Sequence, residues 1–227
     1  MTIHFVNLLD ELRRRSLRMA SLVEDMVHEA CDAVTEYNIA LARRVVDRDA
    51  DVDAEEVRVE AEIIRLLALY QPVGSDLRFL CTALKVNDDL ERIADCAVNI
   101  AERACHIDRT YAMHTIELLT QMGAGVRRML RKAVEAYANH NDAIARQILV
   151  DDEAVDALYV KVIQHTILEA PTHPEGIATH LDMLSAGKNL ERIADHATNI
   201  AEDVIYMATG KIVRHQRAEA SDFDSTS

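Results

Sequence analysis

Apolar residues recur along the chain at three- and four-residue spacing, in segments of about 28–36 residues, with few alternating stretches. In the third segment the periodic positions are Leu77, Leu80, Leu84, Leu90, Ile93, Ala94, Ala97, Ile100 and Ala101, one stripe of a long amphipathic helix. Clusters of turn-forming residues separate the segments: Tyr37-Asn38, Gln71-Pro72-Val73-Gly74-Ser75, His106 to Tyr111, Asn139-His140-Asn141-Asp142, and Pro171 to Pro174. The pattern predicts six long helices over 5–37, 39–70, 75–107, 110–139, 142–170 and 173–209. Ser75 and Asp142 are the expected N-caps of two of them. Thr172 and Glu175 have capping-box spacing ahead of the last helix, with Pro174 tolerated in its first turn. A polar tail, 216–227, is expected to be disordered.

The chain also repeats itself. Leu90-Glu-Arg-Ile-Ala-Asp-Cys-Ala-Val-Asn-Ile-Ala-Glu102 returns as Leu190-Glu-Arg-Ile-Ala-Asp-His-Ala-Thr-Asn-Ile-Ala-Glu202, with only Cys96/His196 and Val98/Thr198 differing. Ala33-Val34 and Tyr37 match Ala133-Val134 and Tyr137, and Asp49 to Asp53 matches Asp152 to Asp156. Each copy is three helices long. The expected fold is therefore all-α: two pseudo-symmetric three-helix bundles over 1–107 and 108–215, followed by the tail.

Composition agrees with helices and narrows the function. Six Gly, three Pro and no Trp in 227 residues cannot supply the turns and aromatic strands of a β-sandwich or barrel. The formal net charge of −14 argues against gripping nucleic acid or an anionic membrane surface, both of which need clustered Lys and Arg. No apolar run approaches the roughly 18 residues of a membrane span. Met1 to Arg15 contains Asp10 and Glu11 and lacks a signal-peptide cleavage pattern. Cys31, Cys81, Cys96 and Cys105 follow no disulfide framework, so reduced thiols and a cytoplasmic location are expected.

An acidic excess favours cations, and the acids are patterned. Both copies carry Asp-x-x-x-Asp on the second helix, Asp49/Asp53 and Asp152/Asp156. Both carry Glu-x-x-x-Asp on the third, Glu91/Asp95 and Glu191/Asp195. Carboxylates four apart on a helix stand about 5–6 Å apart and repel, unless a divalent cation lies between them. With 39 acids in the chain a single pair carries no weight; geometry gives the four pairs theirs. The second and third helices of each copy form an antiparallel hairpin, so residues equidistant from its tip share a height. Asp53 with Glu91, and Asp49 with Asp95, are both centred on Pro72. Asp156 with Glu191, and Asp152 with Asp195, are both centred between His173 and Pro174.

On a helical wheel Glu91, Asp95 and Glu102 lie roughly 140° from the apolar stripe, toward an outer groove. Open, oxygen-lined positions suit Mg²⁺, Ca²⁺, Mn²⁺, Fe or Zn²⁺. Asn99 and Glu102, with Asn199 and Glu202, extend the same faces as further ligands or supporting residues. His196, beside Asp195, is a softer donor, yet its counterpart is Cys96, so the two copies do not share it. Arg92 and Arg192 are expected to neutralise nearby acids.

At these residues the sequence resembles the PhoU family of bacterial phosphate-uptake regulators. The likeness rests on the paired Glu-Arg-Ile-Ala-Asp motifs, on Arg44-Val-Val-Asp-Arg-Asp-Ala-Asp-Val-Asp53, and on Gln71-Pro-Val-Gly-Ser-Asp-Leu-Arg78. The resemblance implies multinuclear metal clusters on the bundle surface, held by Asp49/Asp53 with Glu91/Asp95 and by Asp152/Asp156 with Glu191/Asp195. It also implies a cytoplasmic, self-associating, non-enzymatic protein, with a homodimer expected. Such a protein couples a phosphate ABC transporter's cytoplasmic subunit to a membrane sensor histidine kinase and holds the phosphate regulon off.

Two other readings compete. A di-iron carboxylate oxidase would need Glu-x-x-His twice, projecting inward, and none of the ten His follows a Glu by three. A purely structural scaffold would carry the acids for solubility alone. No Gly-rich phosphate loop or nucleophile signature is present.

Overall fold

The computed structural model describes residues 3–213, the side chains of Met113 and His114 excepted; the predicted tail lies outside the described residues. Seven α-helices and one 3₁₀ turn account for the fold: α1 (Ile3–Glu36), α2 (Ile39–Asp47), α3 (Asp49–Tyr70), α4 (Gly74–Ala104), α5 (Arg109–Asn139), α6 (Asp142–Glu169), the 3₁₀ turn Pro174–Gly176, and α7 (Ile177–Thr209). Among the described residues there is no strand.

The two copies are punctuated by the same device. Tyr37 and His140 take left-handed backbone conformations, φ +57° and +53°. Each is followed by an Asn that caps the next helix. The Asn38 side chain accepts from the N–H groups of Ala40 (3.1 Å) and Leu41 (3.2 Å). Asn141 accepts from those of Ala143 (3.0 Å) and Ile144 (3.2 Å). Both Asn satisfy orphan donors at a helix start.

Three expected boundaries are corrected. The N-cap of α6 is Asn141, with Asp142 inside the first turn. The N-cap position of α4 is Val73, so Ser75 is already helical. Thr172 donates its hydroxyl to the Glu169 carbonyl (2.8 Å) and closes the end of α6 instead of opening α7. The predicted helix over 39–70 is also two helices. At Arg48 the backbone N–H reaches the Val45 carbonyl (3.2 Å), a tighter turn than the α-helix makes. The break places Asp49 in the first turn of α3, where the helix dipole favours a negative charge.

Helices α1 to α4 form the first bundle and α5 to α7 the second. They join along two antiparallel pairs, α1 with α5 and α4 with α7. In the first pair the buried Ser16 hydroxyl donates to that of Tyr137 (3.2 Å). In the second, Arg103 pairs with Asp182 (3.5 Å) at one end and Lys85 with Asp203 (3.0 Å) at the other. The apolar faces merge into one core that includes Leu12, Met26, Ile63, Leu90, Ile93 and Met129. All four cysteines are free thiols, and burial pushes that of Cys96 up to about 11. Among the described residues no helix is long and apolar enough to cross a membrane.

Candidate functional site

The core determines where the acids point. On α3, Val52, Val59, Ile63 and Leu66 are buried, and on α4, Ile93, Ala94 and Ala97. Their burial turns Asp53 and Asp95 out to solvent and leaves Asp49 and Glu91 half-buried along the α3–α4 groove. The turn between Tyr70 and Gly74 places the hairpin tip where the acid pairs require it.

The first group of carboxylates is mutually repulsive. Partial burial, then the charges of Asp53, Asp95 and Glu102, raise the Asp49 carboxyl above its ordinary 3.8. Burial and the charges of Asp95, Asp53 and Asp88 likewise raise Glu91 above 4.5, with Arg92 opposing. Arg92 itself donates to Asp88 (3.1 Å) rather than to Glu91. Asp49, Asp53, Glu91, Asp95 and Glu102 therefore share one electrostatic neighbourhood. Asn99 turns back on its own helix, donating to the Asp95 carbonyl (2.9 Å).

In the second group, burial and the charges of Glu191 and Asp156 raise the Asp195 carboxyl above 3.8. Asp152 is buried on α6. Here a lysine intervenes: Lys188 Nζ lies 2.5 Å from Glu191 Oε2. Asn199 and Glu202, which the wheel places on the face of this group, also meet α4. Asn199 donates to Asp89 Oδ1 (3.3 Å), and His196 Nδ1 lies 2.8 Å from the same oxygen. Glu202 lines a cleft of about 720 Å³ with Asp89, His196, Glu56 and Glu60. Glu102 adjoins the first carboxylate group, and Glu202 and Asn199 line the cleft at the junction between bundles.

Asp89 and Lys188 fall just before the repeat that begins at Leu90 and Leu190, so its pattern does not mark them. One step earlier the copies differ in charge, Asp88-Asp89 against Lys188-Asn189.

Among the described residues no three His, Cys, Asp or Glu side chains are already closed into a metal-holding group. The donor chemistry nonetheless fits a cation. Asp49 and Glu91 are raised in part by neighbouring carboxylates, which is the electrostatic state a divalent ion between oxygen ligands relieves.

The PhoU domain matches this chain twice, over residues 16–104 and 119–204. The phosphate-specific transport system accessory protein PhoU homolog of Zymomonas mobilis is 35% identical over 212 residues, covering 92% of this chain and 90% of its own length. The homolog of Pseudomonas aeruginosa is 33% identical, covering 91% and 86%. The crystal structure of PhoU from Pseudomonas aeruginosa superposes with TM-score 0.88 at 32% identity, covering 91% of this chain and 100% of that one. That of the phosphate transport system regulatory protein PhoU from Streptococcus pneumoniae gives 0.85 at 29%, covering 92% and 99%. With two matched domains and relatives aligned over nine-tenths of its length, the chain belongs to the PhoU family.

Proposed function

We propose that this chain is an accessory protein of a phosphate transport system. In this reading it is a non-enzymatic, metal-bearing helical adaptor that keeps phosphate-starvation genes off when phosphate is plentiful. It acts in the cytoplasm, self-associates as a dimer, and couples the cytoplasmic subunit of a phosphate ABC transporter to a membrane sensor histidine kinase. Family membership supports the transport role. The observation that carries the metal reading is the mutual repulsion of Asp49, Asp53, Glu91, Asp95 and Glu102 along one solvent-facing groove. Asp49/Asp53 with Glu91/Asp95 would hold one group of divalent or transition-metal ions, and Asp152/Asp156 with Glu191/Asp195 a second. Bound metal would replace repulsion with bridging and fix the α3–α4 and α6–α7 hairpins as docking surfaces.

The test has two arms. Gently purified protein is analysed for metal content, with Glu91→Gln/Asp95→Asn/Glu191→Gln/Asp195→Asn as the comparison. The same variant replaces the native gene in cells carrying a phosphate-starvation reporter. The expected outcome is bound metal lost in the variant and a reporter active in rich phosphate. Equal metal content and normal repression would favour a structural scaffold instead.

A further inference from the structure

We propose that Lys188 is a tethered cation in the second carboxylate group, so that the two halves take up divalent metal with unequal affinity and the first half fills first. This rests on the metal-binding reading above and adds an order of occupancy to it.

The two copies differ position by position around this group. Lys188 corresponds to Asp88, and Tyr159 and Ile163 on α6 correspond to Glu56 and Glu60 on α3. In the first half these positions extend the acidic field: Glu56 is raised by burial and by the charges of Glu60, Asp88 and Asp53. In the second half the same positions work against a cation. The Lys188 ammonium sits 2.5 Å from Glu191 Oε2 and 5.6 Å from the centre of the Tyr159 ring, a cation–π contact. Its charge also reaches Asp195, opposing that carboxyl's upward shift. Two of the four expected ligands of the second half therefore already feel a positive charge held in place by an aromatic face.

A divalent ion entering the second group must break the Lys188–Glu191 bond or bind beside a like charge. A unit charge about 5 Å from a divalent ion costs roughly tenfold in affinity even in a water-like dielectric. In the first group the charge of Arg92 is felt by Glu91, but its guanidinium bonds Asp88 rather than a ligand carboxylate.

The experiment titrates Mn²⁺ into the full-length, chelator-stripped chain by calorimetry. Two classes of sites are expected in the unmodified protein; Glu91→Gln should weaken the tighter about tenfold to hundredfold and Glu191→Gln the weaker by a similar factor. Lys188→Met keeps an apolar stem against Tyr159, and half of the lysine side chain is exposed, so the fold should be retained. It should tighten the weaker class about tenfold and leave the tighter unchanged. The mirror variant Asp88→Lys should weaken the tighter class. One class of sites in the unmodified protein, or a weaker class indifferent to Lys188→Met, would overturn the tethered-cation inference while leaving metal binding intact. No Mn²⁺ uptake at all would overturn both.

Discussion

Glu91→Gln should stabilise the metal-free protein and weaken the metal-loaded one. Glu91 faces three like charges, Asp95 one turn along α4, Asp88 one turn back, and Asp53 across the groove, with Arg92 opposing. Like-charge pairs at this spacing cost a few tenths of a kcal/mol each. Removing one member, after allowing for the lost attraction to Arg92, should return about 0.5–1 kcal/mol. For a chain of this size that is roughly 1–4 °C in melting temperature. With Mn²⁺ at a hundredfold excess over Kd, the unmodified site gains about 2.7 kcal/mol from binding. A tenfold to hundredfold weaker variant site gains only about 0.4–1.4 kcal/mol by the same relation. Melts in EDTA and in MnCl₂ should therefore cross over, the variant higher without metal and lower with it. A variant that melts below the parent in EDTA, or that keeps the full Mn²⁺ shift, would refute the claim that these carboxylates are held together for a cation.

Three other outcomes follow from the same geometry. The advantage of Glu91→Gln in EDTA should depend on pH. Glu91 is raised in the folded chain, so the folded state binds protons more readily and this group's stability penalty grows as pH rises from 4.5 through the folded value. Below 4.5 the carboxyl is protonated in both states and the two proteins should melt alike; a difference that persists there would count against repulsion as the cause. Tyr137→Phe removes the buried bond that joins α1 to α5 and leaves the Ser16 hydroxyl without it. A loss of about 1–2 kcal/mol by denaturant titration is expected, and no measurable loss would show that the bond adds nothing at this seam. Among thiols, exposed Cys105 should react with maleimide under native conditions, whereas Cys31 and Cys96, both buried with raised thiol pKa values, should react only on unfolding. Mass spectrometry of the labelled native protein would expose an error as modification at Cys31 or Cys96.

The hairpins and their acid pairs were legible because two independent regularities coincide. The apolar stripe fixes which way each helix faces, and the turn at Pro72 fixes the heights of Asp49, Asp53, Glu91 and Asp95. The break at Arg48 was not legible. Val45, Val52, Val59 and Leu66 are buried at seven-residue intervals straight through it, so the pattern reads as one helix and no Gly or Pro interrupts it. The Asn141 cap was missed by one residue because Asn and Asp cap almost equally well, and the left-handed turn at His140 decides between them. Glu202 and Asn199 show where the periodicity of one helix stops being informative. Their wheel positions match those of Glu191 and Asp195, yet α4 supplies Asp89 beside them, and a partner helix is not part of a single helix's periodicity.

That last difference connects the fold to its proposed use. Because α4 and α7 run antiparallel, their duplicated residues meet twice along one seam, and a fully symmetric repeat would meet identically at both places. Here one crossing pairs Asp89 with His196, while the corresponding residues, Asn189 and Cys96, bear no carboxylate and no imidazole. At the ends, Arg103 answers Asp182, whereas Asp203, the counterpart of Arg103, has the opposite charge and pairs with Lys85. Such substitutions leave the shared apolar core intact, since Ile93 and Ile193, Ala94 and Ala194, and Ala97 and Ala197 are all buried. The charges around the seam and the carboxylate groups differ while this part of the core stays the same. Packing keeps the halves alike in shape, and charge makes their surfaces unlike. A partner meeting the duplicated chain can then distinguish one hairpin from the other.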